Sequence, residues 1–137
     1  MKFSDDETKT RLCKELEQKR IKHNPSFIIR IAKTKSNLII FLEQGNIKAG
    51  FIHIVENHSI DFLNRGISSQ QIPDFIMTAV IDGNLIGIQG KSRQIYEFIF
   101  NELTHYLSVE IASNGYIVSA NPTPTRLITK YKRGFQK

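Results

Sequence analysis

Leu103-Thr104-His105-Tyr106-Leu107-Ser108-Val109-Glu110-Ile111 alternates in type along its length, the period-two signature of a strand with one buried and one wetter face. Leu103, His105, Leu107, Val109 and Ile111 take the apolar side, and Thr104, Tyr106, Ser108 and Glu110 the other. His105 is expected there as a hydrogen-bonded packing residue. Working outward, Leu85 to Gln89, Gln94 to Phe100 and Tyr116 to Ala120 have the same strand character. Turns at Gly90-Lys91-Ser92-Arg93, Asn101-Glu102 and Ser113-Asn114-Gly115 join them, which predicts a four-strand antiparallel meander. In the last strand, alternation puts Ile117, Ser119 and Asn121 on one face.

Upstream of the meander the period changes. Ile72-Pro73 opens a helix that tolerates Pro73 in its first turn and stops at Gly83. Phe51, Ile54, Val55, His58 and Phe62 form a helical stripe, with His53, Glu56 and Asn57 sharing the other side. Phe27 to Ala32 and Leu38 to Leu42 read as a hairpin. Ser4 can cap a first helix over about residues 5 to 20, with Asp5, Asp6 and Glu7 in its first turn and Lys19 and Arg20 in its last. Its stripe of Leu12, Cys13 and Leu16 is thin, so it should lie against the surface. The expected fold is α+β, an N-terminal helix and two further helices packed on a twisted antiparallel sheet. One domain is expected over 1–137, with an N-terminal helix in 1–24, a core in 25–122 and a basic tail in 123–137.

A chain of 137 residues, 40% hydrophobic and 23% charged, suffices for one packed core. A lone cysteine, Cys13, rules out an internal disulfide, and the four scattered histidines show no zinc spacing, so no metal or cofactor is expected. No apolar run nears the roughly 20 residues of a membrane span, and the start turns acidic where an export signal would turn apolar. No membrane partner and a cytoplasmic location are expected.

The net charge of +6 is unevenly spread. Residues 36 to 125 hold 4 Lys/Arg against 8 Asp/Glu, whereas residues 126 to 137 hold 5 against none. Arg126, Lys130, Lys132 and Arg133, with Tyr131 interleaved, can grip a phosphate backbone and stack a base, or can be a solvated, fraying tail. Lys48 joins the nucleic-acid-binding candidates.

For chemistry the leading candidate is His53. Imidazole titrates nearest neutral pH, and the carboxylate of Glu56, three positions on, can orient it or share proton transfer. Ser119 and Asn121 can hydrogen-bond a phosphate or a base edge. Lys91 and Arg93, at the turn, can hold developing negative charge. The set suits cleavage of RNA without a metal, in which a base activates the ribose 2′-hydroxyl against the adjacent phosphorus. Spacing does not say whether His53 or Glu56 is the base.

Lys48 to His58, Gly66-Ile67 followed by Ile72-Pro73-Asp74-Phe75-Ile76, then Gly87-Ile88-Gln89-Gly90, Arg93-Gln94-Ile95-Tyr96-Glu97 and Ser113 to Pro122 resemble the barnase/EndoU/colicin/RelE-type (BECR) ribonuclease superfamily. The likeness is greatest to toxin domains of bacterial polymorphic and contact-dependent inhibition systems. It spans about residues 48 to 122. The resemblance implies a helix on a twisted sheet whose concave face cleaves RNA, often tRNA, through His53, Arg93, Ser119 and Asn121, with Lys91 a weaker match. It also implies a cognate immunity or antitoxin protein as partner. The alternative is a non-catalytic RNA-binding or protein-interaction module on the same fold.

Overall fold

A computed structural model describes residues 5–135, with side chains through residue 131. Helix α1 (Asp6–Gln18) is capped by Asp5, whose carboxylate accepts from the Thr8 backbone N–H at 3.4 Å and the Thr8 hydroxyl at 3.0 Å. Ser4 lies outside the described residues. The helix stops at Gln18, so Lys19 and Arg20 fall beyond its last turn rather than in it. Arg20 takes a positive φ of 57° while its N–H donates to Glu17 and that of Ile21 to Leu16, the paired bonds of a Schellman end. Those bonds satisfy two terminal carbonyls and turn the chain away. The thin stripe is not a surface contact: Leu12, Cys13 and Leu16 are buried with Ile28, Ile31, Ile39 and Phe41 in a small core of their own.

That core is closed by the hairpin of β1 (Ile28–Lys33) and β2 (Ile39–Glu43), a two-stranded antiparallel sheet. Helices α2 (Phe51–Leu63) and α3 (Ile72–Asp82) follow. Then come β3 (Asn84–Gln89), β4 (Arg93–Phe100), β5 (Leu103–Ile111) and β6 (Ile117–Pro122), paired in sequence order. The fold is α+β and the meander is present. The Asn101-Glu102 turn takes φ of 50° and 69°, the left-handed pair that suits a two-residue hairpin, and so sets Phe100 opposite Leu103 and Arg93 opposite Glu110.

One expectation about β6 fails. The register slips between Glu110 and Ile111, so that Ile117 faces Ile111 and lies fully buried in the main core, while Ser119 still faces Glu110. An irregularity of this kind reverses alternation locally. Ser119 and Asn121 stay on one face without Ile117.

The main core joins α2, α3 and the apolar side of the large sheet. Phe75 of α3 sits at its centre, edge-on to Phe62, Phe98, Phe100 and His105 with ring centroids 4.8–5.9 Å away. His105 is therefore a packing residue, but ring contacts, not hydrogen bonds, hold it among the described residues. Burial, with a smaller contribution from the Arg65 charge, pushes its pKa below the ordinary imidazole value. The unfolded chain then binds the extra proton more readily than the folded one. Stability should accordingly fall as pH drops below about 6.5, the unfolded imidazole value. Denaturant midpoints measured from pH 7.5 down to 5 should show this slope, and it should flatten in His105→Phe.

The basic segment is not a tail. It folds as α4 (Thr125–Phe135), which returns from the end of β6 to β3, where the Tyr131 hydroxyl donates to the Ile88 carbonyl at 2.6 Å. Leu127, Ile128 and Tyr131 are half-buried while Arg126 and Lys130 are exposed, the two sides of an amphipathic helix. The side chains of Lys132 and Arg133 lie outside the described residues. Among the described residues, no helix is long and apolar enough to cross a membrane.

Candidate active site

Helix α2 is placed by the residue that caps its start. Gly50, at φ +88°, donates its N–H to the Val118 carbonyl of β6 at 2.9 Å. A Cβ there would stand 2.8 Å from the Tyr116 hydroxyl and 2.9 Å from Gly45 Cα, so only glycine lets the helix start this close to the strand. Just before it, the Asn46 side-chain oxygen accepts from the N–H groups of Lys48 at 2.8 Å and Ala49 at 3.3 Å. This local bonding is the usual chemistry of an asparagine turn, and the turn aims the Ile47 carbonyl at the helix.

The Ile47 carbonyl lies 3.0 Å from His53 Nδ1, and His53 Nε2 lies 3.2 Å from Ser119 Oγ. A carbonyl can only accept, so a bond to Ile47 requires the proton on Nδ1, and in that neutral tautomer Nε2 is the acceptor toward Ser119. Asn57 donates its amide to the His53 backbone carbonyl at 2.8 Å, and the same nitrogen sits 3.1 Å from Nδ1, where it can bond the ring only in the other tautomer, with the proton on Nε2. Nδ1 is thus held by the Ile47 carbonyl in one tautomer and by the Asn57 amide in the other, the orienting role expected of Glu56. Glu56 itself is exposed and makes no hydrogen bond to the ring.

Opposite the helix, pairing across the sheet sets Gln89, Arg93, Glu110 and Ser119 in one row, and Gly87, Ile95, Ser108 and Asn121 in the next. Directly paired residues share a face. Arg93 donates through Nη1 to the Asn121 side-chain oxygen, and Asn121 donates its amide to the Pro122 carbonyl at 3.0 Å. Ser108 and Thr123, both fully buried, share a hydroxyl contact of 2.9 Å beneath them. Tyr131 of α4 lies against Gly87, where a Cβ would come within 2.3 Å of the ring. Helix α4 thus covers the β3 end of the face that carries Arg93.

The structure therefore brings His53, Ser119, Arg93 and Asn121 onto one face between α2 and α4. Lys48 is exposed on the loop that holds the imidazole, Lys91 is exposed in the β3–β4 turn, and Arg126 and Lys130 are exposed on α4. Sequence reasoning gave no role to Glu110, which stands between Arg93 and Ser119 in the same row and accepts from the Ser92 hydroxyl at 2.6 Å. The two-residue turn at Asn101-Glu102 was its signal, because that turn length alone fixes residue 93 opposite 110.

A hydroxyl, an amide, a guanidinium and an imidazole nitrogen free to accept can bind a phosphodiester and take one proton from it or its neighbour. Among the described residues no three His, Cys, Asp or Glu side chains converge as a metal-ion ligand set. No protein-family model matches the chain, and no curated protein matches it in sequence.

Proposed function

We propose that this chain is a metal-independent, toxin-like endoribonuclease of the BECR type that it resembles, acting on cytoplasmic RNA, with tRNA a candidate substrate. The observation that carries the reading is His53 Nε2 facing Ser119 beside the Arg93–Asn121 pair. In this reading His53 Nε2 takes the proton of a ribose 2′-hydroxyl as general base. The 2′-oxygen bonds to the adjacent phosphorus, the bond from phosphorus to the 5′-oxygen breaks, and the departing oxygen takes a proton from solvent. A 2′,3′-cyclic phosphate remains. Arg93 holds the charge that builds on the phosphoryl oxygens, while Ser119 and Asn121 fix their position. Lys48, Lys91, Arg126 and Lys130 border the face and favour a polyanion. An acidic immunity protein is the partner chemistry that this border fits.

The test is incubation of the purified chain with total tRNA in EDTA, beside His53→Ala. Cleavage by the unaltered chain, ending in 2′,3′-cyclic phosphate, and its loss by about 10²–10⁴-fold in the variant are expected. Intact RNA in both reactions would leave only the binding-module alternative.

A further inference from the structure

We propose that the hollow between the C-terminal half of α2 and the end of β6 binds a nucleobase bearing an exocyclic amino group, the base next to the cleaved phosphate. This rests on the ribonuclease reading for its place in the substrate. His53 meets Ser119, and Asn121, two residues on in the strand, lines a hollow together with Asn64, which three helical turns bring back to the side of α2 that carries His53. Asn121, which also holds Arg93, is shared by the site and the hollow, so the two adjoin.

The hollow measures about 270 Å³ and is lined by Asp61, Asn64, Arg65, Pro122 and Pro124 besides His58 and Asn121. Its chemistry favours a base over a second phosphate. Asp61 puts a negative charge in the lining, and Arg65, the only residue of fixed positive charge there, already donates to the Thr123 carbonyl at 3.3 Å. Pro124, half-buried, offers apolar surface to a ring, with Pro122 buried behind it. Asp61 Oδ2 is taken by His58 Nδ1 at 3.1 Å, while its other oxygen has no partner among the described residues. A carboxylate oxygen accepts from the amino group of cytosine, adenine or guanine, whereas uracil presents a carbonyl where cytosine presents its amino group.

Two arms test this with the full chain in EDTA. In the first, CMP and UMP are titrated against the chain and against Asp61→Ala by calorimetry. CMP should bind about 10-fold more tightly than UMP, the weight of one hydrogen bond to a charged group, and the ratio should fall to near one in the variant. In the second arm, RNA oligonucleotides differing only in C or U beside the cleaved bond should be cut with a similar preference. Equal affinities for CMP and UMP would overturn the base site, even with RNA being cut. Discrimination between CMP and UMP that Asp61→Ala abolishes, on a chain that cuts no RNA, would keep the base site and remove the ribonuclease reading. Discrimination between free nucleotides but none between cut oligonucleotides would overturn the placement beside the cleaved phosphate.

Discussion

Phe75→Ala should lower the free energy of unfolding by about 3–5 kcal/mol, most of the stability of many domains of this size. Phe75 is 1% exposed and meets four other rings, from α2, β4 and β5, so truncation leaves a cavity that no single neighbour can fill. Urea unfolding, with the midpoint moving and the slope unchanged, measures the loss. Phe27→Ala is the matched control: that ring is 51% exposed, and its removal should cost no more than about 0.5 kcal/mol. A small loss at Phe75 would mean that α3 is not anchored on the sheet as described.

The second large effect concerns Arg93. Removing a donor aimed at developing charge costs about 10²–10³-fold in rate, so Arg93→Ala should slow RNA cleavage by that factor. Arg93→Lys should recover only part of it, since an ammonium keeps the charge but not the planar fork, which bonds Asn121 and in the proposed reaction would also meet a phosphoryl oxygen. Single-turnover kinetics separates this from weaker binding. RNA affinity measured against salt should meanwhile lose about one unit of slope in Arg93→Ala, the signature of one phosphate contact. Unchanged cleavage beside an unchanged salt slope would place Arg93 outside the site.

Much of this arrangement was readable from the residues, because the features that fix it are local. Alternation in Leu103 to Ile111 and a two-residue turn at Asn101-Glu102 decide both the sheet and the register of Arg93 against Glu110. The helix stripe around Phe51 to Phe62 similarly turns His53 away from the core. What was misread depends on contacts distant in sequence or on backbone irregularity. The register slip in β6 sends Ile117 into the core, and no pattern of side-chain types announces it. The orienting partner of His53 is a backbone carbonyl, Ile47, and carbonyls are the same at every position, so Glu56 looked like the better choice. The last segment looked like a tail because its apolar residues are few. They suffice for a helix once Gly87 leaves room for Tyr131.

That last contact reaches beyond folding. Among the described residues, helix α4 rests on β3 through the Tyr131 ring, seated where residue 87 has no side chain and bonded from its hydroxyl to Ile88, with Leu127 and Ile128 half-buried beside it. The spacing of the two flanking helices is consequently set in part from a strand edge remote from the imidazole, and exchanging one hydrogen for a methyl group at that edge would push α4 outward without touching His53, Ser119 or Arg93.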